Sequence, residues 1–204
     1  IIAGSVQSTD GDVSGNHGAI DVWAVKLDAS GNVVWKKCLG GSSNDYATSI
    51  HQTSDGGYIV TGGTGSTDGD VSGNHGDYDV WVVRLNASGT IAWQKCLGGS
   101  LHENAERIRQ TSDGGYVIAG QTQSTDGDVH GNHGYYDVWV VKLEAGGNVA
   151  WQKCLGGSSV DMASSIHQTS DGGYIVAGYT ASTDGDVSGN HGTIDAWVVK
   201  LGGT

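Results

Sequence analysis

Residues 8–13 read Ser-Thr-Asp-Gly-Asp-Val, and the same six residues return from Ser66, Ser124 and Ser182, a step of 58 each time. A fixed period of this length marks a repeat architecture, in which one unit cannot bury its apolar face alone and neighbouring units stack to do so. The opening Ile1-Ile2-Ala3-Gly4 matches the segment from Ile175 to Gly178 that closes a later unit, so the chain is read as beginning and ending inside a repeat.

Within one unit the pattern predicts four strands. SIHQTS, from Ser49, alternates polar and apolar residues and stops at an Asp-Gly-Gly, a tight hairpin signal. YIVTG follows from Tyr58. A long polar loop, STDGDVSGNHG, leads to DVWVVRL from Asp79, which is apolar on both faces. The turn NASGT separates it from IAWQKCL, and GGS with a short variable segment leads to the next unit. No stretch carries a helical period. Four antiparallel strands, apolar on both sides, describe a sheet packed between two others. The expected fold class is therefore all-β: a β-propeller-like array of four-stranded blades, with a β-solenoid as the alternative. The expected organisation is a single repeat domain over 1–204, with a partial blade at 1–46, full blades at 47–104 and 105–162, and a partial blade at 163–204. Exposed edges at both ends would be hazardous uncovered, which points to self-association through the end strands or to a longer parent chain.

Composition narrows the function classes. The chain has 36 glycines, no proline and no phenylalanine, so Trp, Val, Ile and Leu fill the interior. Its formal net charge is −12, and thirteen of its 22 acidic residues fall in the four copies of one loop. With no basic stripe to meet phosphates, nucleic acid is not an expected partner. No apolar run is long enough to span a bilayer. Cys38, Cys96 and Cys154 occupy one position of the repeat. Equivalent positions in successive units stand too far apart for disulfide geometry, so they are expected to be buried free thiols.

The segments WVVKL, WQKCLGG and QTSDGGYIVAG resemble the tandem β-propeller repeats of secreted bacterial and archaeal surface proteins, and the resemblance covers the whole chain. It implies a propeller and an extracellular or cell-surface setting, but no defined activity. A weaker likeness is to quinoprotein-type propellers, whose outer hairpin carries a Leu-Asp-Ala-x-x-Gly-x-x-x-Trp pattern. Leu27, Asp28, Ala29, Gly31 and Trp35 match it here, and Leu143, Glu144, Ala145, Gly147 and Trp151 match with Glu in place of Asp. In that family the pattern packs blades together.

The repeated loop carries the densest chemistry. Numbered from Asp10, its oxygens fall at Asp10, Asp12, Ser14, Asn16 and Asp21 with glycine at position six, the spacing of an EF-hand calcium loop. The equivalents are Asp68, Asp70, Ser72, Asn74 and Asp79; Asp126, Asp128, Asn132 and Asp137, with His130 in place of the serine; and Asp184, Asp186, Ser188, Asn190 and Asp195. Two readings stand: each loop holds a Ca²⁺, or each is a turn whose Asp and Asn side chains satisfy backbone amides. His17, His75, His133 and His191 stand at position eight of the loops. His51, Arg109 and His167 fall on the innermost strand, as a polar lining or as structural residues.

Differences between repeats add a further signal. They concentrate at Ser43–Tyr46, Leu101–Asn104 and Ser159–Met162, and at the pairs Ala19-Ile20, Asp77-Tyr78, Tyr135-Tyr136 and Thr193-Ile194. In a propeller these two groups emerge on the same end, where a rigid scaffold carries binding residues. An enzyme needs its nucleophile or base placed once in one pocket, whereas here nearly everything occurs three or four times. The expected function is thus non-enzymatic: a multivalent binding or adhesion module for a glycan or a surface protein. The alternative is a self-assembling surface or filament protein, and more remotely a quinoprotein-like or glycosidase propeller.

Overall fold

The computed structural model describes residues 1–203, which form fourteen β strands in four antiparallel sheets. The first sheet is β1 (Ile2–Val6), β2 (Asp21–Leu27) and β3 (Val33–Leu39). The second is β4 (Asp45–Gln52), β5 (Tyr58–Thr64), β6 (Asp79–Leu85) and β7 (Ile91–Leu97). The third is β8 (Glu103–Gln110), β9 (Tyr116–Thr122), β10 (Asp137–Leu143) and β11 (Val149–Leu155). The fourth is β12 (Asp161–Gln168), β13 (Tyr174–Thr180) and β14 (Asp195–Leu201). The all-β expectation holds. None of the described residues forms a helix long and apolar enough to cross a membrane.

Local chemistry explains each turn. In the second sheet's first hairpin, Thr53 N–H donates to the Gly57 carbonyl at 2.9 Å and Gly56 N–H to the Thr53 carbonyl at 2.9 Å. Gly56 sits there at φ 84°, a conformation that glycine adopts without steric cost. The Asp of the same turn accepts a cation from the strand two along: Asp55 pairs with Arg84 at 2.5 Å, Asp113 with Lys142 at 2.9 Å and Asp171 with Lys200 at 2.9 Å. Arg84 and Lys142 are buried as stems and heads together, and their pairing with a surface carboxylate satisfies the charge.

The core lies between sheets rather than within one. Val22 and Ala24 of the first sheet pack with Tyr58, Val60, Trp81, Val83 and Leu85 of the second. The opposite face of the second sheet, Ile59, Val80 and Val82, packs with Ile108, Ile118, Trp139 and Leu143 of the third. The third sheet's Val117, Val138 and Val140 meet Ile166, Tyr174 and Val176 of the fourth. β5, β6, β9 and β10 are accordingly buried at every residue, which is why their sequences are apolar on both faces. The two outer faces lack this cover. Val198 of β14 is 62% exposed, whereas its counterparts Val82 and Val140 are fully buried.

Two expectations are corrected. The first strand of the second, third and fourth sheets starts at Asp45, Glu103 and Asp161, four residues before the alternating SIHQTS stretch. A bulge between Ala47 and Ser49, repeated at Ala105/Arg107 and Ala163/Ser165, shifts the register there and hides the alternation. Trp81 and Trp139 are buried between sheets as expected, but Trp35, Trp93 and Trp151 are only half-buried. They stand on the outermost strand and reach across to the next sheet, where the Trp35 indole N–H donates to the Ala87 carbonyl at 3.1 Å.

Candidate functional site: an aromatic run on the loop end

The polar loops and the segments before β4, β8 and β12 meet at one end of the sheets. Single parallel bridges join Ile20 to Asn44, Tyr78 to His102 and Tyr136 to Val160. The expectation that the two variable groups share an end is met by these bridges.

The loop oxygens are largely committed to holding this end together. Asp68 Oδ1 accepts the Ser42 N–H at 2.7 Å, Asp126 Oδ1 the Ser100 N–H at 2.8 Å, and Asp184 Oδ1 the Ser158 N–H at 2.8 Å. These bonds lower the pKa of all three aspartates. Asp70, Asp128 and Asp186 donate their own N–H to the carbonyls of Gly40, Gly98 and Gly156. The second, third and fourth loops thus latch onto the glycine pair that leaves the preceding sheet. A side chain on Gly99 would run into Asp126, so the pair has to be glycine. Asn74 Nδ2 donates back to the carbonyls of Thr64 and Ser66, and Asn16, Asn132 and Asn190 make the equivalent braces. Ser72 pairs with Gln94, while in the third loop His130 offers its carbonyl to Gln152. In the first loop Asp12 stands 3.5 Å from Lys36, and the Asp10 carbonyl accepts the Val13 N–H.

The last aspartate of each loop lies apart from the others. Asp21, Asp79 and Asp137 are fully buried. Asp79 Oδ2 accepts the His75 N–H at 3.1 Å and lies 2.7 Å from His75 Nδ1, and Asp137 binds His133 in the same way. Burial raises the pKa of Asp79 and Asp137, and the histidine bonds oppose that rise. A second buried acid sits beside each: Asp45, Glu103 and Asp161. Glu103 accepts bonds from Gly99 N–H at 2.8 Å, Thr122 Oγ1 at 2.7 Å and Ser124 N–H at 3.1 Å. Among the described residues no group of three or more His, Cys, Asp and Glu side chains is placed to hold a metal ion. The hydrogen bonds support the reading of these loops as latches.

A different set of residues comes together on the same end. Five rings follow one another across the second and third sheets. Tyr46 and Tyr78 have centroids 6.2 Å apart, Tyr78 and His102 5.4 Å, His102 and Tyr136 6.2 Å, and Tyr136 and Tyr135 5.0 Å. Beside the run lies an open groove of about 550 Å³, lined among others by Tyr46, Thr48, Tyr78, His102 and Asn104. Asn44 Nδ2 holds the Tyr78 hydroxyl at 3.2 Å. Two glycines make the room. A Cβ on Gly65 would lie 3.2 Å from the Tyr78 ring, and one on Gly63 would lie 3.0 Å from Asn104 Oδ1. The third sheet carries Gln123 and Gln121 at these two places.

Every ring of the run occupies a position that differs between repeats. Tyr46 is replaced by Asn104 and Met162, Tyr78 by Ile20 and Ile194, and His102 by Asn44 and Val160. The variable segments were legible in the sequence; their convergence into one continuous run was not, because its neighbours, apart from the adjacent Tyr135 and Tyr136, come from residues 24 to 34 positions apart. Compared with known proteins, the sequence matches no family model and no curated protein.

Proposed function

We propose that the protein is a non-enzymatic, extracellular propeller-type binding module that takes a saccharide in the groove beside Tyr46, Tyr78 and His102. One observation carries the reading: residues that differ between otherwise near-identical repeats converge in space on one groove. Packing explains why the rest of each unit is constant, and packing does not require tyrosine at one repeat and isoleucine at the next. Tyrosine faces suit the C–H faces of sugar rings, and Asn104 Oδ1 and Thr48 Oγ1, whose proton goes to a backbone carbonyl, supply the few polar acceptors that orient a ligand. The site is unique to one place in the array, so the repeats act as scaffold and the ligand is held once per chain. The constant acidic loops serve the scaffold as latches.

The test is a glycan array followed by calorimetry, comparing the protein with a Tyr78→Ile/His102→Val variant. Both replacements are residues that sister repeats already carry at Ile20, Ile194 and Val160, so the fold is expected to persist. Binding by the parent and its loss in the variant support the reading. An empty array, or equal binding by both proteins, refutes it.

A second reading, assembly into a surface layer or filament, is favoured by the uncovered end faces. Val198 is 62% exposed and Ile175 39% exposed on the outer face of the fourth sheet, whereas Val82 and Val140, and Ile59 and Val117, are buried at the same positions of the second and third sheets. A second copy presenting the outer face of its first sheet, with Trp23 and Leu27, repeats the contact already made three times within the chain. Sedimentation that stays monomeric up to high concentration refutes it.

A further inference from the structure

The strand β8 is the outlier among the three complete inner strands. It reads ENAERIRQ where β4 reads DYATSIHQ and β12 reads DMASSIHQ. Arg107 replaces Ser49 and Ser165, and Arg109 replaces His51 and His167. Arg107 pairs with Ala119 and Arg109 with Val117 in the β8–β9 ladder, so both side chains leave the same face of the sheet. Alternate residues of a strand stand about 7 Å apart, so the two guanidiniums are neighbours.

Among the described residues neither arginine has a carboxylate partner. Among the described residues the ion pairs of Lys and Arg are those of Lys36, Arg84, Lys142 and Lys200. Lys26 lies over the Tyr58 ring, and Lys37, Lys95 and Lys153 are exposed to solvent. Arg107 and Arg109 alone are half-buried without an acid or a ring. Glu106, just before Arg107 in the chain, is turned to Asn104, whose Nδ2 donates to its Oε1 at 3.0 Å. Arg107 Nε is buried with no partner, and the one bond of Arg109 is Nη1 to the Ile108 carbonyl at 3.3 Å. Two cations on one face of a strand, in a chain rich in acids, with no acid of the described residues paired to them, form an electropositive patch.

We infer that Arg107 and Arg109 form a binding site for a small oxyanion, a carboxylate or sulfate group. Guanidinium forks match such groups with paired N–H donors, which is the geometry arginine offers and lysine does not. The surroundings agree: burial and the charge of Arg107 lower the pKa of Arg109, and burial and the charge of Arg109 lower that of His51. An anion bound by the two guanidiniums relieves the repulsion between them. The oxyanion arrives either free or as the acid substituent of a saccharide, since Asn104 of the groove lies on the same strand three residues before Arg107. The anion site itself does not depend on the groove taking a sugar.

The experiment is calorimetry of the full chain at constant ionic strength, with sodium sulfate in one arm and sodium glucuronate in the other. The comparison protein is Arg107→Ser/Arg109→His, which restores the residues of the sister strands. Saturable binding by the parent is expected, weakened about tenfold or more in the variant, as loss of charge-assisted bonds implies. In the parent alone, the Arg107 Nε–H resonance is expected to shift with sulfate, a readout that does not depend on the variant folding. Equal affinity for the two anions identifies a free ion. Glucuronate binding at least about tenfold tighter than sulfate, with the excess removed by Tyr78→Ile, identifies an acidic saccharide. No saturable binding of either anion, or equal binding by parent and variant, overturns the proposal. Loss of neutral-sugar binding in Tyr78→Ile with sulfate binding intact separates failure of the groove from failure of this site.

Discussion

Trp93 of the second sheet stands edge-on to Tyr116 of the third, with ring centroids 5.9 Å apart and planes at 66°. The contact recurs between Trp35 and Tyr58 at 5.5 Å and between Trp151 and Tyr174 at 5.6 Å. Each outermost strand thereby clamps the sheet that follows it, and Trp35 also covers Gly89 of the next sheet's turn, where a Cβ would lie 2.9 Å from the indole. Trp93→Ala is expected to destabilise the fold by about 3 kcal/mol, the scale for truncating a packed aromatic. Val149→Ala on β11, where Val149 is 43% exposed, is expected to cost under about 0.5 kcal/mol. Denaturant titration of both variants checks this, and equal costs would mean that the clamp contributes nothing.

The latch reading of the acidic loops predicts indifference to chelators. One Ca²⁺ at a hundredfold excess over its dissociation constant would add about 2.7 kcal/mol, which is roughly 5–10 °C of melting temperature for a chain of this size. With the loop oxygens held by Ser42, Ser100 and Ser158 amides, calcium and EGTA are expected to give the same melting curve. A fall with EGTA that calcium restores would show that the loops bind the ion.

The turn carboxylates predict an acid limb. Hydrogen bonds from Thr111, with Lys142 and Gly115 N–H, lower the pKa of Asp113 from 3.8 to about 2. Its folded value lies below its unfolded one, so its contribution to stability is present above pH 3.8 and is lost as pH falls towards 2. Asp113→Asn is expected to flatten the stability profile in that window. The side chain is 62% exposed, so solvent screening keeps the effect under about 1 kcal/mol. An unchanged acid limb in the variant would contradict the pairing.

The thiols are expected to be inert. Burial pushes Cys96 and Cys154 up to about 12 and Cys38 up to about 11. At pH 8 about one Cys96 side chain in 10⁴ is thiolate, against roughly a quarter of an ordinary free thiol. Ellman's reagent should therefore react slowly with the folded protein and rapidly in urea, with Cys38 the fastest of the three.

The sequence was most legible where period and burial agree. DVWVVRL and IAWQKCL were read to the residue as β6 and β7, because continuous apolar runs between turn signals leave one interpretation. The start of the inner strand was not legible, because the bulge after Ala47 breaks the alternation and Asp45 looks like a loop residue until its buried partners are known. At the loops, oxygen spacing suggested one shared centre, but Asp79 is buried with His75 while Asp68 turns to Ser42. Spacing along a chain does not say which way a carboxylate points. Arg109 was visible as a departure from the repeat, but Arg107 beside it was passed over, and the lack of acid partners for the two is a property of the packed structure.

The central claim is that the aromatic run is the binding surface. Amide and side-chain chemical shifts of the protein, recorded with and without a saccharide selected from the array, test it most directly. The account predicts that the perturbations centre on Tyr46, Tyr78, His102 and Asn104. Perturbations centred instead on the far turns around Asp55 and Asp113, or spread equally over the four acidic loops, would contradict it.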